Sequence, residues 1–189
     1  MGEKVTKFSS TKKDITFRLK LEKIISSISS RFVGISDIDD AIATTLGDIG
    51  KLSGASRSYI FLFNEDKTTM NNTHEWCAEG MSPQADNLKN LSIDMAPWWM
   101  KKLRNNEIIH IADVSKLPVE ANAEKEMLES QGIKSLLVLP LYIGKKLKGF
   151  MSFDNVVEAR SWDDNNIMIL REISYLLFLI LYLFLSFYL

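Results

Sequence analysis

The sequence is poor in the residues that carry most metal and redox chemistry. It has one cysteine, Cys77, and two histidines, His74 and His110, in 189 residues. A single cysteine excludes an internal disulfide and any site built of cysteines alone. It suits a reducing compartment, so a cytoplasmic setting is the expectation. His74 and Cys77 stand three apart, and a straight strand would send them to opposite faces. Joint chelation would need a bulge, and no metal site is expected. The chain also lacks a P-loop, an HExxH helix, a glycine-rich dinucleotide turn and a Ser-His-Asp order, so it is expected not to be an enzyme. A net charge of −1 supplies no field to recruit nucleic acid. No apolar run follows the early basic residues, which argues against a secretory signal.

What is present is ordinary globular material, 46% hydrophobic and 25% charged, enough for one domain with a sizeable core. Three segments are expected: a flexible basic leader over 1–14, a domain over 15–174, and an apolar helical extension over 175–189. Phe17, Leu21, Ile24 and Ile28 fall on one helical stripe, a candidate two-helix seam. Asp37 is placed to cap a second helix whose inner face is Ile38, Ile42, Leu46 and Ile49. Ser58 to Phe63 and Thr69 to Cys77 read as a hairpin. In a regular strand Met70, Asn72, His74 and Trp76 would share one face, with Thr73, Glu75 and Cys77 on the other. Short strands are expected near Leu91 to Ile93 and Glu107 to Ile111. Pro97 suits the start of a short helix, and Glu120 to Gln131 is helical with Gly132 as its stop. Ser135 to Ile143 and Lys148 to Phe153 form a second hairpin, and Trp162-Asp163-Asp164 opens a final helix. Hairpin-linked strands with helices grouped at the ends argue for an α+β fold on an antiparallel sheet.

Several of these runs, in this order, resemble the GAF domain family of sensory modules found in histidine kinases and related signalling proteins. They are Ala55-Ser56-Arg57-Ser58-Tyr59-Ile60-Phe61-Leu62-Phe63, Ile111-Ala112-Asp113-Val114 with Pro118, Gly132 through Leu141 with its in-strand Pro140, Gly149-Phe150-Met151-Ser152-Phe153-Asp154, and Trp162-Asp163-Asp164. The resemblance implies a profilin-like, PAS-related antiparallel sheet of about six strands, helices on one face and a ligand pocket on the other. Pro140 lacks a backbone donor, so its strand must be an edge, or the proline must sit at a bulge.

On that footing the candidate pocket lining is Phe61, Trp76, Cys77, Trp98, Trp99, His110, Asp113, Leu139 and Phe153, with no catalytic residue. The cofactor is not named by the sequence. Bilin-binding relatives anchor the chromophore on a cysteine commonly followed by histidine, whereas Ala78 follows Cys77 here. The scattered Asn-Lys-Phe-Asp-Glu set of cyclic-nucleotide binders cannot be placed, and a methionine sulfoxide reductase would need a second thiol. Haem anchored on Cys77 is a lesser alternative. The function implied is a regulatory module that binds a small molecule and signals through its terminal helices, as part of a sensor histidine kinase and as a homodimer. The rival readings are a ligand-free dimerisation module and a thiol redox sensor using Cys77.

Tyr175 to Leu189 carries no charge. As a helix it would span about 22 Å, short of the ~30 Å hydrocarbon core of a bilayer. Three readings stand for it: a dimer-interface helix, a membrane-associated segment, or a truncated or altered chain end.

Overall fold

The structure, a computed structural model, describes residue 19 and residues 22–35 and 37–188, with side chains as far as residue 186. The expected leader over 1–14, and Phe17 and Leu21 of the expected stripe, lie outside the described residues. The chain runs through α1 (residues 22–31), α2 (Ile38–Ser53), β1 (Arg57–Phe63), β2 (Thr69–Cys77), β3 (Leu91–Ser92), α3 (Pro97–Arg104), β4 (Ile109–Ile111), α4 (Asn122–Ser130), β5 (Ser135–Ile143), β6 (Lys146–Asn155) and α5 (Asp164–Tyr188). The strands form one six-stranded sheet in the order β3-β2-β1-β6-β5-β4, and every pairing is antiparallel.

Local chemistry sets the boundaries. The Asp37 carboxylate accepts the Asp40 N–H at 3.1 Å and starts α2, satisfying a donor the first turn cannot use. Gly54 ends it at φ +68°. Asp163 caps α5 in the same way, accepting the Asn166 N–H at 2.8 Å. Pro97 opens α3. Pro140 sits on an interior strand, since β5 lies between β6 and β4. However, β4 pairs only with Leu136 to Val138. Beyond that point β5 is locally an edge, which accommodates the proline.

Alternation divides the sheet into two cores. On one face Ile60, Leu137, Leu139, Met151 and Phe153 pack under α1, α2 and α5. On the other, Tyr59, Phe61, Leu136, Val138 and Phe150 pack under α3 and α4. Helices therefore cover both faces, the short pair lying over the pocket side. Ile28 is 2% exposed and Ile24 packs beside it in the first core. The described half of the expected α1 seam is thus turned into its own domain.

The apolar tail is not a separate segment. Helix α5 runs unbroken through residue 175, and Leu177, Phe178 and Leu181 are buried in the first core. By length and composition the stretch Asp164–Ser186 could cross a membrane. In this fold the same side chains already cover the sheet as far as Leu181.

Helix α2 lies against β2 through glycine. A Cβ on Gly50 would come 2.4 Å from the Trp76 ring, and one on Gly47 2.9 Å. Alanine favours a helix over glycine by about 1 kcal/mol, yet overpacking costs about 1–3 kcal/mol. Gly50→Ala is expected to lower the melting temperature in thermal denaturation. An increase would mean that Trp76 moves aside freely.

Candidate functional site

Strands β2, β1 and β6 present three cross-strand rows to the face under α3 and α4. Arg57 stands opposite Cys77 and Asp154; Tyr59 opposite Glu75 and Ser152; Phe61 opposite Asn72 and Phe150. The first two rows are polar and the third sets two aromatic rings beside Asn72. A bulge makes this set. The β1–β2 register shifts between Ile60 and Phe61, so His74 opposes Ile60 while Asn72 opposes Phe61, leaving Thr73 as the extra residue. The bulge reverses the side on which residues fall. Met70 and Asn72 therefore share the cavity face with Glu75 and Cys77, while Trp76 packs into the helix-side core.

The polar end is closed by a buried ion pair. Arg57 Nη2 lies 3.0 Å from Asp154 Oδ2, with the two side chains 5% and 0% exposed, and Nε donates to both carboxylate oxygens at 3.0 and 3.1 Å. Burial holds the Asp154 carboxyl above its usual range, against the pull of Arg57. Burial, reinforced by Asp154, keeps Tyr59 a neutral phenol. Glu75 is occupied by the backbone, accepting the Gln84 and Ala85 N–H groups at 2.7 and 2.9 Å.

The aromatic end encloses a cavity of about 40 Å³ between the sheet and α3 and α4, walled by Phe61, Phe150, Trp99, Met70, Met100 and Leu128 among others. Phe61 stacks on Phe150 with centroids 4.9 Å apart, and Trp99 tilts against Phe150 at 5.9 Å. Glu124, fully buried on α4, accepts the Trp99 backbone N–H at 3.1 Å and so ties α4 to the start of α3. Three residues of this side keep buried polar atoms without a partner among the described residues. They are Asn72 (both amide atoms), Trp99 (Nε1) and Glu124 (Oε2).

The sequence-based lining divides accordingly. Phe61 and Trp99 line the cavity, and Cys77 lies on the same face at its polar end. Trp76, Leu139 and Phe153 belong to the helix-side core: β5 and β6 are apolar on both faces, so only the register reveals the side of Leu139 and Phe153, and Trp76 alternates with Glu75 and Cys77 on β2. His110 lies beside Trp162 on that same side, accepting its backbone N–H at 3.3 Å. Trp98, His110 and Asp113 together line a separate open groove of about 490 Å³ along the edge strand β4, with Lys102 and Pro118. Asp113 there caps a turn, accepting the Ser115 N–H and hydroxyl at 3.0 and 2.6 Å. Sequence reasoning missed Arg57, Asp154, Asn72 and Glu124. A cation and an anion at the ends of two apolar strands were a usable signal for the first pair; Asn72 and Glu124 carried none.

Among known proteins, a family model described as GAF domain matches residues 37–180. The methanogenesis regulatory histidine kinase FilI of Methanothrix harundinacea (strain 6Ac) is 28% identical over 166 residues, which cover 81% of this chain and 18% of that protein. The chain thus spans under a fifth of that relative's length. The phycocyanobilin-bound GAF domain from a cyanobacterial phytochrome is similar with a TM-score of 0.69 at 20% identity, over 89% of this chain and 98% of its own. The blue-light-absorbing form of the Thermosynechococcus elongatus PixJ GAF domain gives 0.65 at 20% identity, over 79% and 88%. At such identity the structural likeness speaks for the fold.

The Cys77 thiol is pushed up to about 11, by burial first and by the charge of Glu75 second. Arg57, its cross-strand neighbour, is engaged by Asp154 and offsets this only in part. The reactive species is the thiolate, scarce at neutral pH when the pKa is raised. Alkylation of native Cys77 by iodoacetamide at pH 7.5 is expected to run roughly a hundredfold slower than that of an ordinary thiol with pKa near 8.5. Its rate should still be climbing at pH 10. A plateau near pH 8.5 would return the thiol to the list of redox candidates.

Proposed function

This chain belongs to the GAF domain family, and from that premise we propose that it is the signal-sensing module of a longer protein of the sensor histidine kinase kind. It binds a small molecule beneath α3 and α4 and passes the change through α1, α2 and α5 to an effector. Any catalysis belongs to another part of that protein, in the cytoplasm. The observation that carries this reading is the position of adjacent residues on the central strands. Phe61 and Phe150 wall the cavity, while their neighbours Ile60 and Met151 pack under the terminal helices. A ligand that shifts one shifts the backbone holding the other, which is how a two-state element is biased. The kinase relative supports the same reading.

The assembly is a homodimer through α5. Met168, Tyr175 and Leu183 leave its outer side 46%, 48% and 46% exposed, at intervals of about two turns. A second reading, a dimerising module without ligand, is favoured by the small cavity. The unpartnered atoms of Asn72, Trp99 and Glu124 weigh against it, because a permanently empty core would be better built from apolar groups.

The bilin of the phytochrome relative does not fit this chain. About 40 Å³ is far below the space of a tetrapyrrole, and Cys77 is followed by Ala78. Haem fails on the same volume. Native mass spectrometry of freshly purified protein is expected to show a retained organic molecule of small mass. Stripping it should speed amide exchange in α5. A bare mass, with no shift in melting temperature against a broad metabolite collection, would leave the ligand-free module as the better account.

A further inference from the structure

We propose that the end of α5 and the β5–β6 hairpin beside it form a docking surface for an anionic lipid bilayer. Such a surface needs no ligand in the cavity and serves the module under either reading given above.

Helix α5 changes character at Leu181. Up to that point it is anchored to the sheet, with Ile173, Leu177, Phe178 and Leu181 at most 2% exposed. None of the residues from Tyr182 to Ser186 is buried, and Leu183 is 46% exposed. The helix stays apolar all the same, because no charged residue occurs between Ile173 and Leu189. Its course from Leu181 to Tyr188 covers about 10 Å. That is enough to pass a headgroup layer roughly 5–8 Å deep.

The hairpin supplies the charge. Lys145 and Lys146 are exposed and Lys148 is half-buried. None of the three forms an ion pair among the described residues. Lys148 joins the two parts, since its Nζ lies 5.3 Å from the centroid of the Tyr182 ring. Ile143, at the start of the hairpin, packs on the same core as Tyr182 and Leu185. The β1–β2 turn lies one strand away, Leu62 standing opposite Gly149, and adds Glu65, Asp66 and Lys67. Four lysines against two acids leave this end of the sheet positive.

An apolar tip flanked by unneutralised lysines complements acyl chains lying beneath anionic headgroups. Lysine lays its stem along apolar surface and keeps its ammonium at the headgroups, and a tyrosine ring suits the same depth. A second copy of this surface would bring like charges together. Spanning the bilayer would strip Leu177, Phe178 and Leu181 from the sheet, so the contact is with one face of the membrane.

The test sediments the full chain with vesicles of phosphatidylcholine alone, and of phosphatidylcholine with phosphatidylserine at about three to one, in about 0.1 M and about 0.5 M salt. The chain should bind the phosphatidylserine vesicles, at least roughly tenfold more weakly the neutral ones, and less at high salt. Each lysine near such a surface is worth a factor of roughly five. Lys145→Gln combined with Lys146→Gln should therefore weaken binding roughly thirtyfold and leave the melting temperature unchanged. Leu183→Ser should weaken it as well, but Leu183 also lies on the dimer seam proposed above. The lysines lie outside that seam, so the lysine pair decides. If that variant does not fold, the lipid and salt dependence of the native chain decides alone. No vesicle binding, or equal binding to both vesicle types at both salts, would overturn the assignment. Undiminished binding by a folded lysine variant would do the same. A chain that dimerises in solution and ignores vesicles would give the end of α5 to a second copy instead.

Discussion

Strands β1, β5 and β6 are buried on both faces, so each of their residues must serve one of two cores, and a slip of one position would exchange them. Two features hold the register. Gly149 on β6 lies so close to β1 that a Cβ there would come 2.0 Å from the Phe61 carbonyl oxygen, so only glycine permits this approach. Arg57 and Asp154 face each other directly at the other end of the same pairing. A slipped ladder would separate two buried charges, and an unpaired buried charge is costly enough to exclude the alternative. A clash at one end and an ion pair at the other fix the pair of strands on which the remaining sheet is assembled.

The bulge in β2 follows from this rigidity. With β1 fixed by β6, the extra residue falls on β2, the strand nearer the edge. Its consequence is that one strand contributes to both sides in turn: Glu75 and Cys77 to the face under α3 and α4, Trp76 to the helix side, Asn72 and Met70 again to the face under α3 and α4. A regular strand would have put Trp76 and Asn72 on one side. The glycines Gly47 and Gly50 then let α2 lie over the Trp76 ring.

Much of the element order was legible because its signals are local. The Asp37 cap, Pro97 at a helix start, Gly132 after α4 and the apolar hairpin runs need no tertiary information, and strands β2 and β5 have the bounds their composition suggested. Sidedness was not legible. In Leu136 to Leu141 and Phe150 to Phe153 nearly every residue is buried, so hydrophobicity cannot say which side each one faces, and Leu139 and Phe153 were assigned to a pocket they back away from. The α1 stripe was a true helical face, but a face can be satisfied within one chain as well as by a partner, and Ile28 is satisfied within. Asn72 and Glu124 were invisible because a buried polar residue is defined by what surrounds it, and nothing in its flanking sequence marks that.

On the sensory reading proposed above, the closed cavity and the unmet polar atoms together constrain how the module would switch. A ligand shifts an equilibrium only by its differential affinity for the two states, so a useful sensor keeps them within a few kcal/mol of each other. Burial of the aromatic wall stabilises the closed form, in which Glu124 also holds Trp99 and keeps α4 on α3. Each buried group left unpaired works against it by about 1–3 kcal/mol, and Asn72, Trp99 and Glu124 are such groups. An all-apolar lining would deepen the closed state beyond the reach of a small ligand. A fully exposed polar lining would leave nothing for the ligand to complete. A cover tied at one end by Glu124 to the Trp99 N–H and at the other by the Tyr142 hydroxyl to the Leu103 and Arg104 carbonyls lies between those limits.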